Sequence, residues 1–95
     1  MKEEKIKGYL NISRKAGYLI IGGEKLEDYN KKLYLVLYDT QAANNTLKVV
    51  RKIEEKGINA IAVDKLDELS SINNCKIVGI KNKDISEIVE KLIND

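Results

Sequence analysis

Two short clusters in this chain of 95 residues combine side chains able to hold a charged or hydrogen-bonding partner. The first, Gly22-Gly23-Glu24-Lys25, places two glycines beside a carboxylate and an ammonium. Such a turn can offer free backbone N–H groups to a phosphate and a charge of either sign to a base edge. It matches neither G-x-G-x-x-G nor the P-loop pattern, and taken alone it is more simply a turn with a solvated helix start. The second cluster is Asp39, Asn44, Asn45 and Lys48. These groups would suit an RNA groove, although the plainer reading makes Asp39 a helix N-cap and the others a polar helix face.

Proton-transfer chemistry has weaker candidates. The acid pairs Glu54-Glu55 and Asp67-Glu68 both fall on expected helix surface with lysines nearby. With no histidine and one cysteine, the usual zinc sets and the Ser-His-Asp and Cys-His nucleophile arrangements are all unavailable. Cys75, at a loop-to-strand junction, reads as a small, partly buried apolar residue rather than a reactive thiol. The expectation is a protein without catalytic residues, metal or cofactor.

The elements that must position these residues follow from periodicity. Leu33 to Tyr38 is an unbroken apolar and aromatic run, the pattern of a strand buried on both faces, and is expected at the centre of the sheet with Val36 between the helix layers. Asp39 and Thr40 then offer N-cap oxygens to a helix carrying Thr46, Val49, Val50 and Ile53 on one face, and Gly57 ends it. Ile58 to Val63 is a second apolar run, so 33–63 reads as a strand-helix-strand unit with parallel strands. In open sheets of this kind ligands gather at the carboxyl ends of strands, where Asp39, Gln41, Asn44, Asn45 and Lys48 fall.

The pattern predicts helices over 3–16, 23–30, 41–56, 65–72 and 83–93, and strands over 18–21, 33–38, 58–63 and 76–80. Gly17 is expected just past the first helix, Asp64 as the N-cap of the fourth, and Asn82 or Asp84 as the N-cap of the fifth, which carries the clearest apolar stripe. Gly79, inside the last strand, suggests a bulge or the close approach of another backbone.

Composition sets the outer bounds. Hydrophobic residues make up 43% and charged residues 34%, which is globular composition, and the chain is sized for one domain spanning 1–95. No apolar run nears the roughly 20 residues of a membrane helix, and the N-terminus has no apolar signal core after its charges. A cytoplasmic location is expected, so the glycosylation sequons at Asn11 and Asn44 are coincidental. Net charge is only +2, yet the first 32 residues hold eight Lys or Arg against five acids, so the basic side is N-terminal.

Four stretches carry a family resemblance: Ile-Ser-Arg-Lys-Ala-Gly-Tyr-Leu-Ile-Ile-Gly-Gly-Glu at 12–24, Leu-Tyr-Leu-Val-Leu-Tyr-Asp-Thr-Gln-Ala-Ala-Asn-Asn-Thr-Leu-Lys at 33–48, Val-Asp-Lys-Leu-Asp-Glu-Leu at 63–69, and Ile-Val-Gly-Ile-Lys-Asn-Lys at 77–83. Together they resemble the bacterial branch of the kink-turn RNA-binding ribosomal proteins, the L-seven-Ae, L-thirty-e and Gadd-forty-five-like superfamily. The resemblance implies an α/β fold, a three-layer α-β-α sandwich around a mixed four-stranded sheet. It also implies RNA gripped by the turn into the second helix, the start of the third, and the loop before the last strand. On this chain those places hold Arg14, Lys15, Gly22, Gly23, Glu24, Lys25, Asp39, Asn44, Asn45, Lys48, Ile72 and Asn73.

The family's turn commonly reads Gly-x-Asn-Glu-x-x-Lys, where the Asn and Glu meet sheared G·A pairs and the Lys meets phosphate. Here the Asn has no counterpart, and the Lys falls on Asp28 or Tyr29. The Leu-Gly pair that ends the family's fourth helix is Leu69-Ser70, and the following loop is shorter. The function expected is non-catalytic binding of structured, kink-turn-like RNA in association with the ribosome, with no membrane or DNA partner. The alternative is a protein-interaction module of the same fold that has lost RNA affinity. A third class, a small-molecule or nucleotide-binding enzyme, would have to use the carboxylates.

Overall fold

The computed structural model describes residues 2–95. In chain order the elements are α1 (Lys2–Lys15), β1 (Leu19–Ile21), α2 (Gly23–Asp28), β2 (Leu35–Asp39), α3 (Asn44–Glu55), β3 (Asn59–Val63), α4 (Leu66–Ser70), β4 (Ile77–Ile80) and α5 (Lys83–Asn94). The strands form one mixed sheet in the order β1-β4-β2-β3. β2 and β3 are parallel, as the strand-helix-strand pattern requires, and β4 runs antiparallel to both β1 and β2.

β2 is central because its residues have no polar face to show water: Leu35, Val36 and Leu37 are fully buried. The pleat sends Leu35 and Leu37 toward a core shared with Ile6, Leu10, Leu66 and Val89, from α1, α4 and α5. Val36 goes the other way, to a second core with Leu26, Val49, Val50 and Ile53, from α2 and α3. Two helix layers thus enclose the sheet, the expected α-β-α sandwich.

Gly79 sits in a regular register, between Ile20 of β1 and Val36 of β2, so there is no bulge. A Cβ built on it would stand 2.6 Å from Leu26 Cδ2 and 2.9 Å from Leu33 Cδ1. The approach expected from a backbone is made by two leucine side chains. This accounts for a boundary shift as well: the strand starts at Leu35, not Leu33, and Leu33 turns onto the sheet to fill the niche over Gly79.

Local chemistry ends most helices where the sequence places their ends. Gly17 and Gly57 take positive φ just past α1 and α3, and Asn82 Oδ1 accepts from the Ile85 N–H at the start of α5. Two expected caps are overturned. Asp39 and Thr40 do not cap α3, because Asp39 Oδ1 accepts from the Gln41 N–H at 2.7 Å and the chain turns through Ala42 before the helix begins at Asn44. Asp64 does not cap α4: its carboxylate accepts from Thr40 Oγ1 at 2.7 Å, and the N-cap position is Lys65 in the left-handed region. Ser71 and Asn74, just after α4, also take positive φ. Ala16 lies exposed in the turn beyond α1.

Val36→Asp would bury an unpaired carboxylate between the layers, costing several kcal/mol and leaving the chain unfolded by circular dichroism. Gly79→Ala overpacks the niche and should cost about 1–3 kcal/mol in denaturant unfolding, with the amides of α2 losing hydrogen-exchange protection first.

Candidate nucleic-acid interface

Because β4 is antiparallel to its neighbours, its first residues lie beside the last residues of β1 and β2: Val78 opposes Ile21 and Ile77 opposes Tyr38. Two further bonds tie the loops there, Gly22 N–H to the Ile77 carbonyl at 3.1 Å and Asp39 N–H to the Lys76 carbonyl at 2.9 Å. The 22–25 turn, the 39–48 junction and the 70–75 loop therefore share one end of the sheet. The helices that follow β1, β2 and β3 all begin at this end.

The candidate residues fall into two groups astride it. On the α2/α3 side, Gly22 at φ 95 leads into α2, and Gly23 is the first helical residue, close enough to α3 that a Cβ there would lie 3.4 Å from Val49 Cγ2. Gly23 and Glu24 line a shallow cleft of about 250 Å³ with Asn45 and Thr46 of α3. Glu24, Lys25, Asn44, Asn45 and Lys48 are exposed. α3 has no side-chain N-cap and no acid in its first turn, so its leading N–H groups and the positive end of its dipole are not neutralised by side chains of that turn.

On the other side, Arg14 reaches the 70–75 loop, its Nη1 donating to the Ser71 carbonyl at 3.2 Å, with exposed Lys15 next to it. Asn73 is exposed in that loop. Ile72 is half-buried and packs on the core under α1 and α4, so its side chain is structural rather than an apolar contact for RNA.

Asp39 is also removed from the candidates. It is only 3% exposed, and its carboxylate accepts from the Gln41 N–H and, at 3.0 Å, from the Leu66 N–H that opens α4. Its role is to fasten the end of β2 to the start of α4. The Gln41 amide, helped by the Leu66 amide and the Lys76 ammonium, holds its pKa below the ordinary carboxylate value against the opposing effect of burial.

Lys76 itself was not singled out by the sequence, where it reads only as the first residue of a strand. It stands at the middle of this end, with Nζ 4.0 Å from Asp39 Oδ2 and the side chain about half exposed. Glu27 is the other unanticipated member; it lines the α2/α3 cleft and pairs with Lys52 at 3.5 Å.

Glu54, Glu55 and Glu68 are exposed, Asp67 is half-buried, and among the described residues no group of three His, Cys, Asp or Glu could hold a metal ion. Cys75 is 4% exposed, and burial pushes its thiol pKa up, away from a reactive thiolate. Nor is any helix among the described residues long and apolar enough to cross a membrane.

A carboxylate with a lowered folded pKa stabilises the protein above its unfolded pKa of about 3.9, and that stabilisation disappears as pH falls through the folded value. Asp39→Asn keeps one acceptor but turns an NH₂ toward a backbone donor. It should cost about 1–3 kcal/mol at neutral pH, and the gap between the two melting curves should close as the pH is lowered below about 4.

No family model and no curated protein matches this chain. Among solved structures, a Bacillus halodurans protein of unknown function is similar in fold, with a TM-score of 0.81 over 96% of this chain and 98% of its own, at 21% sequence identity. What the two chains share at that identity is the α/β architecture.

Proposed function

We propose that the chain is a non-catalytic, cytoplasmic domain that binds structured RNA at this end of the sheet, in the manner of kink-turn-binding ribosomal proteins. The observation that carries the reading is the gathering of the glycine turn, the uncapped start of α3 and the Arg14-bearing loop at a single sheet end. The free N–H groups of α3 with Lys48, Lys76 and Arg14 suit phosphate oxygens. Glu24 and Asn45, facing one cleft, supply an acceptor and an amide for base edges. Bases of RNA are read where they are splayed from the helix, and a shallow cleft flanked by cations fits that geometry better than it fits a regular duplex groove.

A second reading has its own observation. Glu24 and Glu27 both line the cleft, and Asp28 or Tyr29 stands where a phosphate-binding lysine is expected, which would repel RNA and favour a protein partner.

A fluorescence titration at low salt against a kink-turn and a straight duplex separates the two readings. Lys48→Ala should weaken binding to both RNAs alike and lower the salt slope by about one. Glu24→Ala should cost roughly 1–3 kcal/mol against the kink-turn alone, by analogy with base-reading contacts on DNA. No affinity for either RNA, or no effect of Glu24→Ala, gives the interaction-module reading its place.

A further inference from the structure

The sheet has two edges, and they are unlike. β1 is three residues long and runs straight into Gly22-Gly23, which leaves little to pair with. β3 is five residues long, has β2 on one side only, and carries no charge and no proline from Ile58 to Val63. Edge strands are commonly protected by an inward charge, a proline or a bulge. β3 has none of these, and its register with β2 is unbroken.

Which backbone groups it leaves open follows from one bond. The Val63 carbonyl accepts from the Thr40 N–H at 3.0 Å, so Val63, Ile61 and Asn59 turn their backbone polar groups toward β2. Strand alternation then points the N–H and C=O of Ala60 and Ala62 away from the sheet. Both residues have the smallest side chain that carries a Cβ, and Ala62 is exposed.

We propose that this edge is an interaction surface for a second copy of the chain, with β3 pairing antiparallel to β3 across a two-fold axis at Ile61. The strand is complementary to itself in that register. Ala60 opposes Ala62 of the second copy and Ala62 opposes its Ala60, so every outward N–H and C=O of the two residues finds a partner. Ile61 meets its own copy as a non-hydrogen-bonded pair, the closer of the two antiparallel spacings, on the α1/α4/α5 face.

Beside the end of the same edge, Ala62 and Val63 border a groove of about 680 Å³ in which Ile6, Leu69, Leu92 and Ile93 lie among charged residues of α1 and of the 64–68 stretch. A five-residue edge buries less than the roughly 1,200–2,000 Å² of a stable interface, which places the pairing among weak, transient contacts. The antiparallel arrangement points the two candidate RNA surfaces in opposite directions and leaves both open. The inference does not depend on RNA binding.

Sedimentation equilibrium of the full chain from about 10 μM to about 1 mM should show a shift from the 10.8 kDa monomer toward twice that mass. Amide exchange by NMR should slow at Ala60 and Ala62 over the same range. Ala62→Lys, at an exposed side chain, and Ala62→Pro, which removes one outward donor, should each weaken dimerisation about tenfold or more while the melting temperature of the lysine variant stays near the parent's. A parent that remains monomeric at about 1 mM overturns the proposal, whether or not a foreign strand can occupy the edge. So does a dimer whose strength Ala62→Lys leaves unchanged, because it must use another surface.

Discussion

A missing methyl group at Gly79 sets how closely the α2/α3 layer approaches the sheet. The row Ile20-Gly79-Val36-Ala60 crosses all four strands on that face, and only the glycine leaves a hollow. Leu26 and Leu33 fill it. Leu26 is the buried residue of α2, a helix of six residues that has too few internal hydrogen bonds to persist unaided. The docking of that one leucine therefore places the whole helix, and with it Gly23 against Val49 and Glu24 across from Asn45. The cleft is formed at the surface, but its geometry is decided in the core beneath it.

The same end of the sheet shows how polar groups are divided between holding the fold and facing outward. Asp39 is buried yet satisfied, because it accepts from two backbone donors and lies near an ammonium. Its carboxylate serves as the cap that α4 lacks from its own side chains. Thr40 and Asp64 make a second clasp just outside it. Once these groups are occupied, the donors left over are the leading N–H groups of α2 and α3, neither of which has a side-chain cap. At the opposite end of the sheet α5 starts under the side-chain cap of Asn82, so the two ends differ in electrostatic character although the total charge is nearly balanced.

Features that depend on neighbours in sequence were legible before the structure. The central strand announced itself as an uninterrupted apolar run, Gly17, Gly57 and Asn82 marked helix ends by their own backbone or side-chain chemistry, and the strand order of loops put the candidate surface at one sheet end. Features that depend on distant partners were not. Nothing near Asp39 shows that its second acceptor oxygen serves Leu66, 27 residues away, so an N-cap for the adjacent helix was the natural reading. Leu33 looks like a strand residue because an apolar side chain filling a niche and one in a strand are the same letter. Ile72 looked available for RNA for a similar reason, since a loop gives no periodicity from which burial can be read. Lys76 was hidden by its position at the start of an apolar strand.

The three non-glycine residues in left-handed conformation, Lys65, Ser71 and Asn74, bracket α4 and the loop after it. Each such residue costs about 1 kcal/mol or more, least for Asn, and the cost is met by contacts made elsewhere: Leu66 and Ser70 in the core and Asp39 on the first amide. The 65–74 segment thus owes its shape to its surroundings more than to its own letters. In limited proteolysis this is the stretch expected to be cut first, ahead of any strand of the sheet.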